Sequence, residues 1–187
     1  RHNVRLGMSR GFLFSLCAAM IFFLIGLVTI KDYGINWDEP IHFYRGQAYV
    51  HYFLTGNLDY RDLPKISEHQ RARQGTNYLE DGFVSVNNYP RSYYQDNSLT
   101  AAYFLKEDSG HPPLNGIIAS LSNYVFYQRL RVMGDIDSFH LFNILSSALL
   151  VFVVFHFAYK KYNLFTAVIA GLALVSYPLF FAESHFN

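Results

Sequence analysis

Gly11 to Ile30 is twenty residues without a charge, GFLFSLCAAMIFFLIGLVTI, and it limits what this chain can be more than any other stretch. At 1.5 Å of rise per residue, a helix of that length spans about 30 Å, the thickness of a bilayer's hydrocarbon core. Two further apolar blocks follow, Phe139 to Tyr159 and Leu164 to Phe181. Hydrophobic residues are 51% of the chain and gather in these blocks instead of recurring at core spacing. The expected fold class is therefore all-α: multi-pass transmembrane helices, with interfacial helices in a long first outer loop. Arg1, Arg5 and Arg10 precede the first block. A cleaved signal peptide would carry an apolar core of only about 7 to 15 residues and a small-x-small site, and no such site follows Ile30. The arginines place the N-terminus in the cytoplasm and residues 31–138 on the periplasmic, extracellular or lumenal side.

The whole chain, 1–187, then reads as the N-terminal part of one integral membrane domain, with spans at about 11–30, 139–159 and 164–181. It opens on Arg1 and stops soon after the third block, as expected of a piece of a longer protein, inactive by itself. A net charge of +1 supplies no field for nucleic acid. Cys17 is the single cysteine, so it has no intrachain disulfide partner.

Just past the first block stands Asn36-Trp37-Asp38-Glu39-Pro40. Tyr33 and Trp37 suit the aromatic belt of a membrane interface. Asp38 as a cap, Pro40 in the first turn and Gly56-Asn57 as a stop predict an interfacial helix over about 40–55. Ile41, Tyr44, Ala48 and Tyr52 share one face of it, with Arg45, Gln47 and His51 elsewhere. Adjacent side chains point in different directions, so the two acids suit different tasks. One can serve as general base toward an acceptor hydroxyl; the other can hold a cation, an arginine or a sugar hydroxyl. A plain helix cap with a favourable first-turn charge accounts for the same two residues.

Residues 58–110 form a polar, tyrosine-rich loop with turn signals at Asn87-Asn88, Pro90 and Asp108-Ser109-Gly110, and a short helix is expected near Asn97 to Lys106. His111-Pro112-Pro113-Leu114 follows. Consecutive prolines fix the backbone and present His111 on a stiff segment, although proline is equally at home in an ordinary first helical turn. The next helix, about 114–127, is too short to span. Lys160-Lys161 marks a cytoplasmic turn, and the third block brings Glu183 and His185 back to the outer face. Asp38, Glu39, His111, Glu183 and His185 thus share one side of the membrane, where charged groups are functional candidates. His42, His51 and His69 lack zinc-ligand spacing, so no metal site is expected and a divalent cation is not supported. His140 and His156, near the ends of the second block, are expected to reach backbone or headgroups. No Gly-rich phosphate loop, Gly-x-Ser-x-Gly or CxxC is present.

The order of these parts resembles the N-terminal part of GT-C-type membrane glycosyltransferases, notably the protein O-mannosyltransferase and lipid A aminoarabinose transferase group. The resemblance implies a polyprenyl-phosphate sugar as donor, a hydroxyl acceptor, no cofactor, and work on the outer or lumenal face among membrane lipids. It implies Asp38 as the catalytic base, with Glu39 the second acid of the pair. His111, Pro112, Pro113 and Leu114 match the motif near the donor site. Asn115-Gly116-Ile117 stands where the mannosyltransferases continue Gly-Lys, and Gly110-His111 stands where the aminoarabinose transferases have Glu-Lys. Arg45, Arg91, Arg129 and Arg131 are outer-face cations for the donor phosphate, and Arg45 joins His111, Pro112 and Pro113 as an expected substrate-binding residue. The alternative is a non-enzymatic multi-pass protein, a transporter or assembly scaffold, which would line a path with polar residues inside the spans.

Overall fold

The computed structural model describes residues 9–64, 91–108 and 111–186. Arg1, Arg5, His69, Asn87-Asn88, Pro90 and Ser109-Gly110 lie outside the described residues. Among the described residues every regular element is helical. Helix α1 (Arg10–Thr29) runs into a 3₁₀ turn at Ile30–Asp32, followed by α2 (Glu39–Thr55) and α3 (Ala101–Glu107). Helix α4 (Leu114–Asn123) passes into a π-helical turn at Tyr124–Arg129. Then come α5 (Asp135–Lys161), α6 (Leu164–Val175) and α7 (Pro178–Glu183). The chain divides into two compact units, Arg1–Val28 with Ile144–Ser184, and Thr29–Asn143 with His185–Asn187.

In the first unit, Phe22 packs with Ala148 and Val151, flanked by Leu174, Val175, Phe180 and Phe181, while Phe155, Ala158 and Ala167 form a neighbouring cluster. The segments Arg10–Asp32 and Asp135–Lys161 are long and apolar enough to cross a membrane. The third apolar block, expected as one span over 164–181, is instead two helices. Proline has no amide N–H to continue the ladder and biases the residue before it out of the helical region. Tyr177, ahead of Pro178, is accordingly extended (φ −72°, ψ 112°), and the Ser176 hydroxyl turns back to the carbonyl of Leu172 at 2.6 Å. The twelve residues of α6 rise only about 18 Å.

The second unit is assembled on α2. Gly46 of α2 and Gly116 of α4 bring the two helices into backbone contact: a β-carbon on Gly46 would collide with the Gly116 carbonyl, and one on Gly116 would lie 2.6 Å from the His42 oxygen. This explains the glycine that interrupts the expected motif at 115–117. Around the crossing, Phe43, Tyr94, Ala119, Ile136 and Phe139 form one core cluster. Ala48, Tyr60, Ala101 and Phe104 form another. Gly56 ends α2 in the left-handed region (φ 77°), its N–H donating to the Tyr52 carbonyl. Of the expected Ile41–Tyr44–Ala48–Tyr52 face, Ala48 is buried with Tyr44 and Tyr52 packed against its cluster, whereas Ile41 is 38% exposed. Glu39, Phe43, Arg45, Gln47, Val50 and His51 are buried as well, so burial extends round α2 beyond that stripe. Each of the polar members has a polar partner, Glu39 with His140, Arg45 with Asp108, Gln47 with Asn123 and His51 with Asp62, which is what makes their burial tolerable.

Substituting Gly46 by Ala should therefore destabilise the fold by about 1–3 kcal/mol. Thermal unfolding in maltoside micelles should register the drop, with no change for Gly34→Ala, where a β-carbon meets nothing within 4 Å.

Candidate functional site

The two acids ahead of α2 have opposite surroundings. Glu39 is fully buried. Its Oε2 accepts the backbone N–H of Asn36 at 2.6 Å, and its Oε1 stands 3.2 Å from Nε2 of His140, a fully buried imidazole in the second turn of α5. The rings of Phe43 and Phe139 stack beside the pair, 4.2 Å between centroids, and Phe186 meets His140 edge-on. Asp38, in contrast, is exposed, makes no capping hydrogen bond, and adjoins Trp37, which is 96% exposed. Glu39, expected as the second acid of the pair, stands beside an imidazole and accepts the Asn36 N–H.

Two of the remaining expected residues, Arg45 and His111, meet along one side of α2. A cleft of about 180 Å³ is lined by Ile41, Arg45, Tyr103, Phe104, Glu107, Asp108 and His111. Asp38, Ile41 and Arg45 follow one side of the helix at i, i+3 and i+7, about 10 Å along the axis from first to last. Arg45 is only 4% exposed. Its Nη2 and Nε both meet Oδ1 of Asp108, at 2.8 and 2.9 Å, and its guanidinium lies over the Phe104 ring. The charge expected to face a donor phosphate is thus matched by Asp108. His111 is exposed on the cleft, its backbone N–H donating to the Asp108 carbonyl at 3.1 Å. Pro113 is the N-cap of α4, its carbonyl accepting from Ile117 at 2.9 Å, and Pro112 is exposed. The proline motif therefore both starts a helix and fixes the histidine.

His185 and His140 depart furthest from expectation. His185, read as a polar group at the interface, is fully buried; it stacks on Tyr33 at 4.0 Å and bonds the Thr29 hydroxyl at 2.9 Å. His140, expected to reach backbone or headgroups, pairs with Glu39 instead. The available signal was His140 itself, the second residue of the apolar block that begins at Phe139, because ionisable groups rarely enter such blocks without a partner. His156 bonds the Ser15 hydroxyl at 3.3 Å and stacks on Phe152. Glu183 is exposed in the first unit. Arg91 is buried over Tyr60, donating to the carbonyls of Pro64 and Gln95.

A buried amide network that sequence reasoning missed lies farther along α2. Gln47 donates to Asn123 at 2.8 Å, and Gln128 donates to both Gln47 and Asn123. Asn123 in turn donates to Asp135 and to the Ser138 hydroxyl. Asp135 opens α5, four residues ahead of the apolar stretch that begins at Phe139. Its carboxylate accepts hydrogen bonds from the Tyr93 N–H, the Ser92 hydroxyl and the Asn123 amide. Among the described residues no three acidic, histidine or cysteine side chains converge to hold a metal ion.

One outcome follows from these burials. His140→Leu should cost about 1–3 kcal/mol in urea unfolding, since it removes the polar group beside the buried Glu39 carboxylate, and Glu39→Leu added to it should recover most of the loss. Comparison of the chain with family models, with curated proteins and with solved structures found no match.

Proposed function

We propose that the chain belongs to a membrane glycosyltransferase that moves a sugar from a polyprenyl-phosphate donor to a hydroxyl acceptor on the periplasmic, extracellular or lumenal face. The observation that carries this reading is the division of labour in the acid pair: Glu39 is buried beside His140 while Asp38 stays exposed one turn from the cleft of Arg45 and His111. A lipid phosphate is already an activated leaving group, so the chemistry needs chiefly a base and a place for the departing charge. In the proposed step Asp38 takes the proton of the acceptor hydroxyl as its oxygen bonds to the anomeric carbon. The bond from that carbon to the phosphate oxygen breaks, and the electron pair leaves with the polyprenyl phosphate. Glu39 and His140 are positioning residues, His111 a donor-side residue, and Arg45 acts through its pair with Asp108.

The membrane part of the proposal rests on the two helices long and apolar enough to cross, with the N-terminus cytoplasmic and α2 at the outer interface. Asp38→Asn in the full-length protein should lower transfer from polyprenyl-phosphate sugar by about 10²–10⁴-fold with no loss of thermal stability, because Asp38 is exposed and makes no capping bond. Transfer at the wild-type rate would remove Asp38 from the mechanism.

A further inference from the structure

A second, larger cleft of about 380 Å³ lies against the C-terminal half of α2, with Gln95, Tyr124, Gln128, Arg129 and Arg131 among its lining residues. We infer that this cleft is a binding site for a phosphate-type oxyanion, distinct from the place where Asp38 works. Thirteen residues of α2 separate Asp38 from His51 on the cleft wall, about 20 Å along the helix, so one small ligand does not touch both.

Several features of the chain converge on this cleft. Guanidinium groups match the paired oxygens of a phosphate better than any other side chain, and here Arg129 and Arg131 are exposed on the same cleft. Arg129 is held in place: it lies over the Tyr124 ring, 4.9 Å to the centroid, while its Nε donates to the Tyr124 hydroxyl at 2.8 Å. Arg131 adopts the left-handed backbone region (φ 55°), a conformation that costs a non-glycine residue free energy and gathers at ligand sites. The wall is the π-helical turn Tyr124–Arg129, a geometry rare outside functional segments. Beneath it, Gln128 is preset by its bonds to Gln47 and Asn123, both fully buried, and receives the Gln95 amide at 3.4 Å. A satisfied buried network of this kind rigidifies what it supports. The nearby carboxylate of Asp62 meets the His51 ring nitrogen at 3.0 Å.

The test uses the full chain in phosphate-free maltoside micelles, titrated with inorganic phosphate against chloride at equal ionic strength. The wild type should gain thermal stability saturably, by a few degrees. Arg129→Gln with Arg131→Gln should abolish the gain while leaving the far-ultraviolet circular dichroism unchanged. Lys106→Gln with Lys161→Gln, which removes two exposed cations outside the cleft lining, should retain it. Repeating the titration with phosphatidylglycerol in the micelles separates two supporting outcomes. A response erased by the lipid identifies a headgroup phosphate as the occupant; a response that survives identifies a soluble phosphate ester. No gain in the wild type, or an equal gain in the cleft double variant, overturns the inference. Neither result bears on the role proposed for Asp38.

Discussion

The backbone contact of Gly46 with Gly116 is the constraint on which the second unit depends. Helices that carry side chains at their crossing keep axes about 8–10 Å apart; two glycines remove that spacer. The close approach lets Phe43 and Ala119 share one core cluster with Tyr94, Ile136 and Phe139. It also fixes the start of α4, two residues before Gly116, against the first half of α2. The stiff His111-Pro112-Pro113 segment that leads into α4 is thereby held beside Arg45 and Asp108.

Burying polar groups along α2 gives the unit its specificity. Glu39 takes His140, Arg45 takes Asp108, Gln47 takes Asn123, and His51 takes Asp62. Every one of these partners comes from a different part of the chain: α5, the end of α3, α4 and the segment after α2. An apolar helix could slide or rotate in such a setting at little cost. Four polar couples cannot change register without stranding buried donors and acceptors, each worth about 1–3 kcal/mol when unsatisfied.

Much of this was legible in the sequence where local chemistry decides. The twenty uncharged residues after Arg10, the Pro40 and Gly56 boundaries of α2, and the proline start of α4 all follow from rules that act within a few residues. The burial pattern of α2 did not, because hydropathy treats Arg45, Gln47 and His51 as outward-facing, and only the distant partners Asp108, Asn123 and Asp62 reverse that. His140 was misjudged for the same reason. Asp38 and Glu39 are identical to a charge count, yet a single turn at Asn36 sends one into the core and leaves the other exposed. The break at Tyr177 was visible in Pro178, but the apolar character of the block outweighed it.

The chain leaves the second unit after Asn143 and rejoins it at His185, where that imidazole stacks on Tyr33. Tyr33 also meets the Phe186 ring edge-on, and His185 bonds the Thr29 hydroxyl. The opening residues of that unit are thus tied to its last described ones, and His185 cannot leave this seat without stripping a buried imidazole of its partner.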